Sequence, residues 1–167
     1  LIASTSEAYD VYIRRISVAL EIIRQAAPGF YVDCTRLLRL VALCRDASFR
    51  GSSSTFTHGL VFFDPDPTWD EIDWAEELVH EASHQVLDLI VFKRPILKPL
   101  DELNSSNVRL RSPLRSGLRP PEGVYHAIYV VARILAFYAR LSDKKLDERR
   151  RERIFGITTN FSLSATE

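Results

Sequence analysis

The chain has 167 residues, enough for one domain with a substantial hydrophobic core and short for two. Hydrophobic residues make up 46% and charged residues 26%, the profile of an ordinary globular protein. Lys plus Arg and Asp plus Glu each number 22, so the formal net charge is zero, which argues against nucleic acid or an anionic membrane as the main partner.

No apolar run reaches membrane-spanning length and no signal-peptide pattern opens the chain, so a bacterial-type cytoplasm is the default compartment. Cys34 and Cys44 are too few for a disulfide scaffold and read as small buried thiols. The chain opens on Leu1 and contains no methionine, as expected of a trimmed chain or a domain of a longer protein. Residues 1–167 are expected to form a single domain.

In chain order, SEAYDVYIRRISVALEIIRQAAPG (6–29) predicts a helix that Ser6 can cap and Pro28-Gly29 end. LLRLVALC (37–44) suits either a strand or a buried helix. RGSSST (50–55) reads as a small-residue loop and GLVFFD (59–64) as a strand. A long helix is expected from Pro67-Thr68 to about Phe92. Residues 93–123 form a long connection rich in Pro and Ser, a kind of segment that is often functional. VYHAIYVVARILAFYARL (124–141) is the next helix, and DKKLDERRRERIF beyond it reads as a solvated, charged one. The last segment, GITTNFSLSATE, carries no strong signal. The fold class is α+β, predominantly helical, with a small sheet flanking the long central helix.

That central helix contains EELVHEASHQVLDLI (76–90), a His-Glu-x-x-His array. At about 100° per residue, Ala75, Leu78, Val79, Ala82, Val86, Leu89 and Ile90 fall on one apolar stripe, with Asp73, Glu77, His80, His84 and Asp88 opposite. His80 and His84 lie one turn apart on one face, so both imidazoles can converge on one ion. A third ligand must come from elsewhere. His58 is most simply a loop residue, whereas His126, one turn into its helix, is well placed to meet a facing helix, unless it is a satisfied core histidine. A zinc-protease pattern is incomplete: Leu87 and Ile90 stand where the long form of the motif requires Gly and His, and Glu102, the candidate glutamate ligand, lies in the Pro- and Ser-rich segment.

The runs GLVFFDPDPTWDEIDWAEELVHEASHQVLDLI and SPLRSGLRPPEGVYHAIYVVARI resemble the HExxH-motif domain of bacterial gene clusters for ribosomally synthesised, post-translationally modified peptides. The resemblance covers roughly the second and third quarters of the chain. It departs at Leu114, where that family often has Trp, a change in the expected pocket wall. It implies an iron(II)- and 2-oxoglutarate-dependent enzyme that hydroxylates the β-carbon of a residue in a precursor peptide. His80, His84 and His126 are then the metal ligands, with Glu81 in reserve as a ligand or catalytic group. The coordination positions these leave would take 2-oxoglutarate and dioxygen.

The far carboxylate of 2-oxoglutarate calls for a fixed arginine, whose planar fork binds carboxylates bidentately. Arg119 and Arg115, just before the His126 helix, are the candidates, with Arg133 two turns beyond His126 behind them. A precursor peptide could add as a strand to an exposed edge at GLVFFD, with Ser52, Ser53, Ser54 and Thr55 lining the entry; alternatively this is a core strand. Two other readings stand beside the hydroxylase: a zinc peptidase with Glu81 as general base, and a peptide-binding module with a structural metal.

Overall fold

Asp70 starts the central helix. Its carboxylate accepts from the backbone N–H groups of Ile72 and Asp73, at 2.9 and 3.1 Å, and the Asp73 carboxylate accepts from the Asp70 N–H at 3.0 Å. This reciprocal cap satisfies N–H groups that the first turn leaves without partners, so the helix begins at Glu71 rather than at Thr68 and runs to Lys93. The computed structural model describes residues 6–44, 50–93, 109–113, 117–142 and 145–164. Among them the chain is α+β and mainly helical. The helices are α1 (Ser6–Ala26), α2 (Pro28–Leu37), α3 (Glu71–Lys93), α4 (Pro121–Tyr138) and α5 (Glu148–Ser164). The strands are β1 (Leu40–Leu43), β2 (Gly51–Ser53), β3 (Leu60–Phe63), β4 (Leu110–Arg111) and β5 (Leu118–Arg119).

The chain forms two compact units, Leu1–Ala82 and Ser83–Glu167, and the division falls inside α3. In the first unit, Pro28 does not simply stop a helix. It occupies the first turn of α2, where its missing N–H has no intrahelical acceptor to lose. The ambiguous run 37–44 resolves into the end of α2 followed by β1.

The sheet has the order β1-β3-β2, with β1 parallel and β2 antiparallel to β3. The segment read as a loop at 50–55 therefore supplies a strand, and GLVFFD is the central strand, paired on both sides rather than an open edge. Pairing of β2 with β3 outweighs the weak strand propensity of Gly and Ser. Alternation along β3 sends Val61 and Phe63 fully inward and leaves Phe62 on the outer face.

Trp74 of α3 sits at the centre of this unit, fully buried. The rings of Tyr12 (α1), Phe63 (β3) and Trp69 meet it edge-on at 5.9, 5.6 and 5.1 Å. Arg15 of α1 donates to the Trp69 carbonyl at 2.5 Å, and the Cys34 thiol of α2 donates to the Leu78 carbonyl at 3.6 Å. Helix α3 thus meets α1, α2 and the sheet.

In the second unit, α4 packs on α5 and on the short β4–β5 ladder. Val124, Ala127, Val130, Val131, Ile134 and Phe137 form its inner face at successive spacings of three and one. The charged segment near the C-terminus is helical through GITTNFSLS, well past the expected end at Phe155. Arg150, read as part of a solvated face, is 3% exposed and ion-paired with Asp147, while Ile157, seven residues on along the same helix, is also buried. No described helix is long and apolar enough to cross a membrane.

Phe63→Ala should remove the ring that braces Trp74 and lower stability by about 3–5 kcal/mol, the usual range for an emptied aromatic core site. Phe62→Ala, on the outer face of the same strand, should lose well under half of that. Urea unfolding followed by tryptophan fluorescence measures both.

Candidate functional site

The polar residues of α3 do not form a solvated stripe. Asp73, Glu76, Glu77, Glu81, Ser83 and Gln85 are all buried, while Leu89 and Ile90 of the expected apolar stripe are 39% and 40% exposed. The helix is enclosed by α1, α2 and the sheet, so its carboxylates must be satisfied inside the protein. Period alone assigns faces relative to one another and says nothing about how many neighbours surround them.

Glu81 illustrates the arrangement. It is 2% exposed, and its Oε2 accepts a hydrogen bond from the Ser53 hydroxyl on β2 at 2.6 Å. Its other oxygen lies against the β2 backbone: a Cβ at Gly51 would stand 2.7 Å from Oε1 of Glu81 and 3.3 Å from Oε2 of Glu77. Glycine at 51 is therefore what allows two carboxylates from successive turns of α3 to approach the strand. Glu77 is paired with Arg50 at 3.2 Å, and the Arg50 guanidinium also covers the Trp69 ring at 4.9 Å.

Burial raises the Glu81 carboxyl from 4.5 to about 7. The Ser53 hydrogen bond opposes that rise and the nearby charge of Glu77 adds to it. Near neutrality this group can both hold and release a proton, as a general acid–base must.

The other sequence-identified residues fall as follows. Ser52, Ser54 and Thr55 are exposed, and the Ser54 hydroxyl caps the short 3-10 turn Thr55–Thr57 by accepting from the Phe56 N–H. Only Ser53 of this group turns inward. His58 is exposed at the end of that turn, consistent with a loop role. Arg119 is exposed on β5, opposite Leu110 in the ladder. Arg115, Leu114 and Glu102 lie outside the described residues.

His80 and His84 are half-buried on consecutive turns of α3. Within the second unit, His84 and His126 of α4 stack with ring centres 5.9 Å apart and planes 22° from parallel. Two imidazoles on neighbouring positions of one ion, with bonds of about 2 Å, hold their ring centres roughly 4.5–5.2 Å apart, so this pair stands somewhat wider than a ligating pair. The donor chemistry suits a divalent transition metal. As the side chains are set here, no three His, Cys, Asp or Glu groups converge on one point among the described residues.

The same unit holds Arg133, one face of α4 along from His126. Its Nε–H donates to the hydroxyl of fully buried Ser83 at 2.9 Å, and its guanidinium lies 5.7 Å from the Tyr129 ring centre. Sequence reasoning placed Glu77 on the polar stripe without giving it a role, and passed over Gly51 and Ser83. Glu77 carried a signal, being one turn before Glu81 on the helix. Gly51 and Ser83 carried none, because their roles depend on which backbone or side chain arrives opposite them.

The raised Glu81 pKa has a definite sign for stability. The unfolded chain ionises this group near 4.5 and the folded one near 7. Glu81 therefore penalises the fold increasingly as pH rises through that window, and the penalty is constant above it. The difference corresponds to roughly 3 kcal/mol. Metal-free protein should lose stability between pH 5 and 8, and Glu81→Gln should flatten the profile and be the more stable at pH 8. Urea midpoints across that range test this.

Comparison with models of known protein families gives no match, and comparison with curated proteins gives no relative.

Proposed function

We propose that this chain is a cytoplasmic iron(II)- and 2-oxoglutarate-dependent oxygenase that hydroxylates the β-carbon of a residue in a ribosomally made precursor peptide. The observation that carries the reading is the stacked pair of His84 and His126, with His80 one turn from His84 on the same helix. These three imidazoles would hold the metal. Iron, with 2-oxoglutarate and dioxygen, would supply the oxidising chemistry that replaces a C–H bond by C–OH.

The protein's own contribution is positioning. Neutral imidazoles bind a metal without adding charge, and two helices hold them in place. A peptide is supported as substrate by β2, the outer strand of its sheet. The Asp64 N–H bonds to the Arg50 carbonyl, which makes that pair a hydrogen-bonded one. By alternation, the N–H and C=O groups of Gly51 and Ser53 point outward, where an extended peptide can pair with them.

A second reading is favoured by one observation, the Glu81 carboxyl raised to about 7. A zinc peptidase would use such a group as general base toward a polarised water. In that case Glu81→Gln should lower turnover by about 10²–10⁴-fold. In the oxygenase, abstraction of a hydrogen atom needs no such base, so Glu81→Gln should retain substantial hydroxylation.

Incubation with iron(II), 2-oxoglutarate and a precursor peptide should yield succinate and a peptide one oxygen heavier. Cleaved peptide without oxygen gain would establish the peptidase instead. His80→Ala, His84→Ala and His126→Ala should each prevent stable iron binding, read by elemental analysis. Full iron occupancy in the His126 variant would remove that residue from the ligand set.

A further inference from the structure

We infer that the outer face of the three-stranded sheet docks an amphipathic helix with acidic flanks, carried by a partner protein. The inference concerns the first unit alone and does not depend on the oxygenase reading.

The strands themselves point to a covered face. LVAL (β1) and LVFF (β3) are apolar at every position, with no polar residue to mark a solvent side. Parallel strands of this kind belong to sheets covered on both faces. Here β1 and β3 run parallel, and the face packed on Trp74 of α3 holds Val61 and Phe63. Register and alternation place Leu40, Ala42, Ser52, Leu60 and Phe62 on the other face. Leu40 is 62% exposed there and Phe62 36%. Phe56, in the turn joining β2 to β3 at the Leu40–Leu60 end, is 97% exposed.

Charge narrows the partner. Segments 34–44 and 51–63, which build the sheet, contain no Asp or Glu, and their basic side chains include Arg36 and Arg39. Both arginines are exposed, and neither is ion-paired with another described residue. Arg39 lies at the Leu40–Leu60 end, its Cγ 3.3 Å from where a Cβ on Gly59 would stand. An apolar patch with cations at one end fits an apolar stripe bordered by carboxylates.

Backbone pairing and area select its form. The central strand β3 spends its N–H and C=O groups on β1 and β2, so the face offers an incoming chain no backbone partner. A segment lying there must satisfy its own backbone, as a helix does and a lone strand does not. Leu40, Phe56 and Phe62 together present on the order of 400 Å². A stable dimer takes about 800 Å² from each partner. A second copy would also bring this same patch, which has no carboxylate to offer Arg36 and Arg39.

The test uses the full chain and three fluorescein-labelled synthetic helical peptides. The first repeats Leu at spacings of three and four, with Glu on both flanks. The second has Lys in place of every Glu, and the third rearranges the first so that no apolar face forms. Fluorescence anisotropy should show the acidic amphipathic peptide binding about tenfold more tightly than either control. Leu40→Ser and Phe56→Ser, with folding checked by circular dichroism, should each weaken it severalfold. Arg36→Glu combined with Arg39→Glu should transfer the preference to the Lys peptide.

Equal affinity for all three peptides, or no binding at millimolar peptide, overturns the inference. So does a preference for the acidic peptide that survives the double charge reversal or the two serine substitutions combined. A dimer in sedimentation velocity that Phe56→Ser dissociates assigns the face to a second copy instead. Co-sedimentation with phosphatidylcholine–phosphatidylglycerol vesicles, lost in Phe56→Ser, assigns it to a membrane and likewise overturns the proposal.

Discussion

Enclosure of polar side chains around α3 is the constraint from which the rest of the first unit follows. A helix carrying Glu77 and Glu81 on successive turns would ordinarily turn them to water. Here both carboxylates are buried against β2, and each needs a specific partner. Arg50 neutralises one, and Ser53 donates to the other. An unpaired buried carboxylate is so unfavourable that these contacts also dictate the strand's position and register. Gly51 has to be a glycine because the carboxylates take the space a side chain would need.

This arrangement links stability to chemistry. Glu81 resists ionisation because its surroundings exclude water and Glu77 already carries charge close by. The same environment that opposes folding at high pH lets the group hold a proton near neutrality. Such a conflict between local preference and environment is common where a protein does chemistry. The aromatic cluster around Trp74 supplies much of the apolar burial that offsets it.

The second unit contributes cations and neutral donors instead. His84, His126 and Arg133 lie around the C-terminal part of α3 and one face of α4, held by Ser83 and flanked by Tyr129. A single helix therefore carries buried carboxylates in one unit and an imidazole stacked on a neighbouring helix in the other. The His-Glu-x-x-His array spans the boundary.

The sequence by itself determined the elements with strong periodicity. The amphipathic α1, the long α3 and the apolar face of α4 follow from spacings of three and four that survive any tertiary context. It also determined that His80 and His84 share a face, since helix geometry alone places residues four apart together. Tertiary structure decided the rest. Gly51–Ser53 is a strand only because β3 lies beside it, and GLVFFD is central rather than an edge for the same reason. The charged α5 extends because Arg150 and Ile157 find a buried side. The polar residues of α3 are interior because helices and sheet arrive from several directions. Ser83 meets Arg133 fifty positions later, a contact between helices that no local pattern encodes.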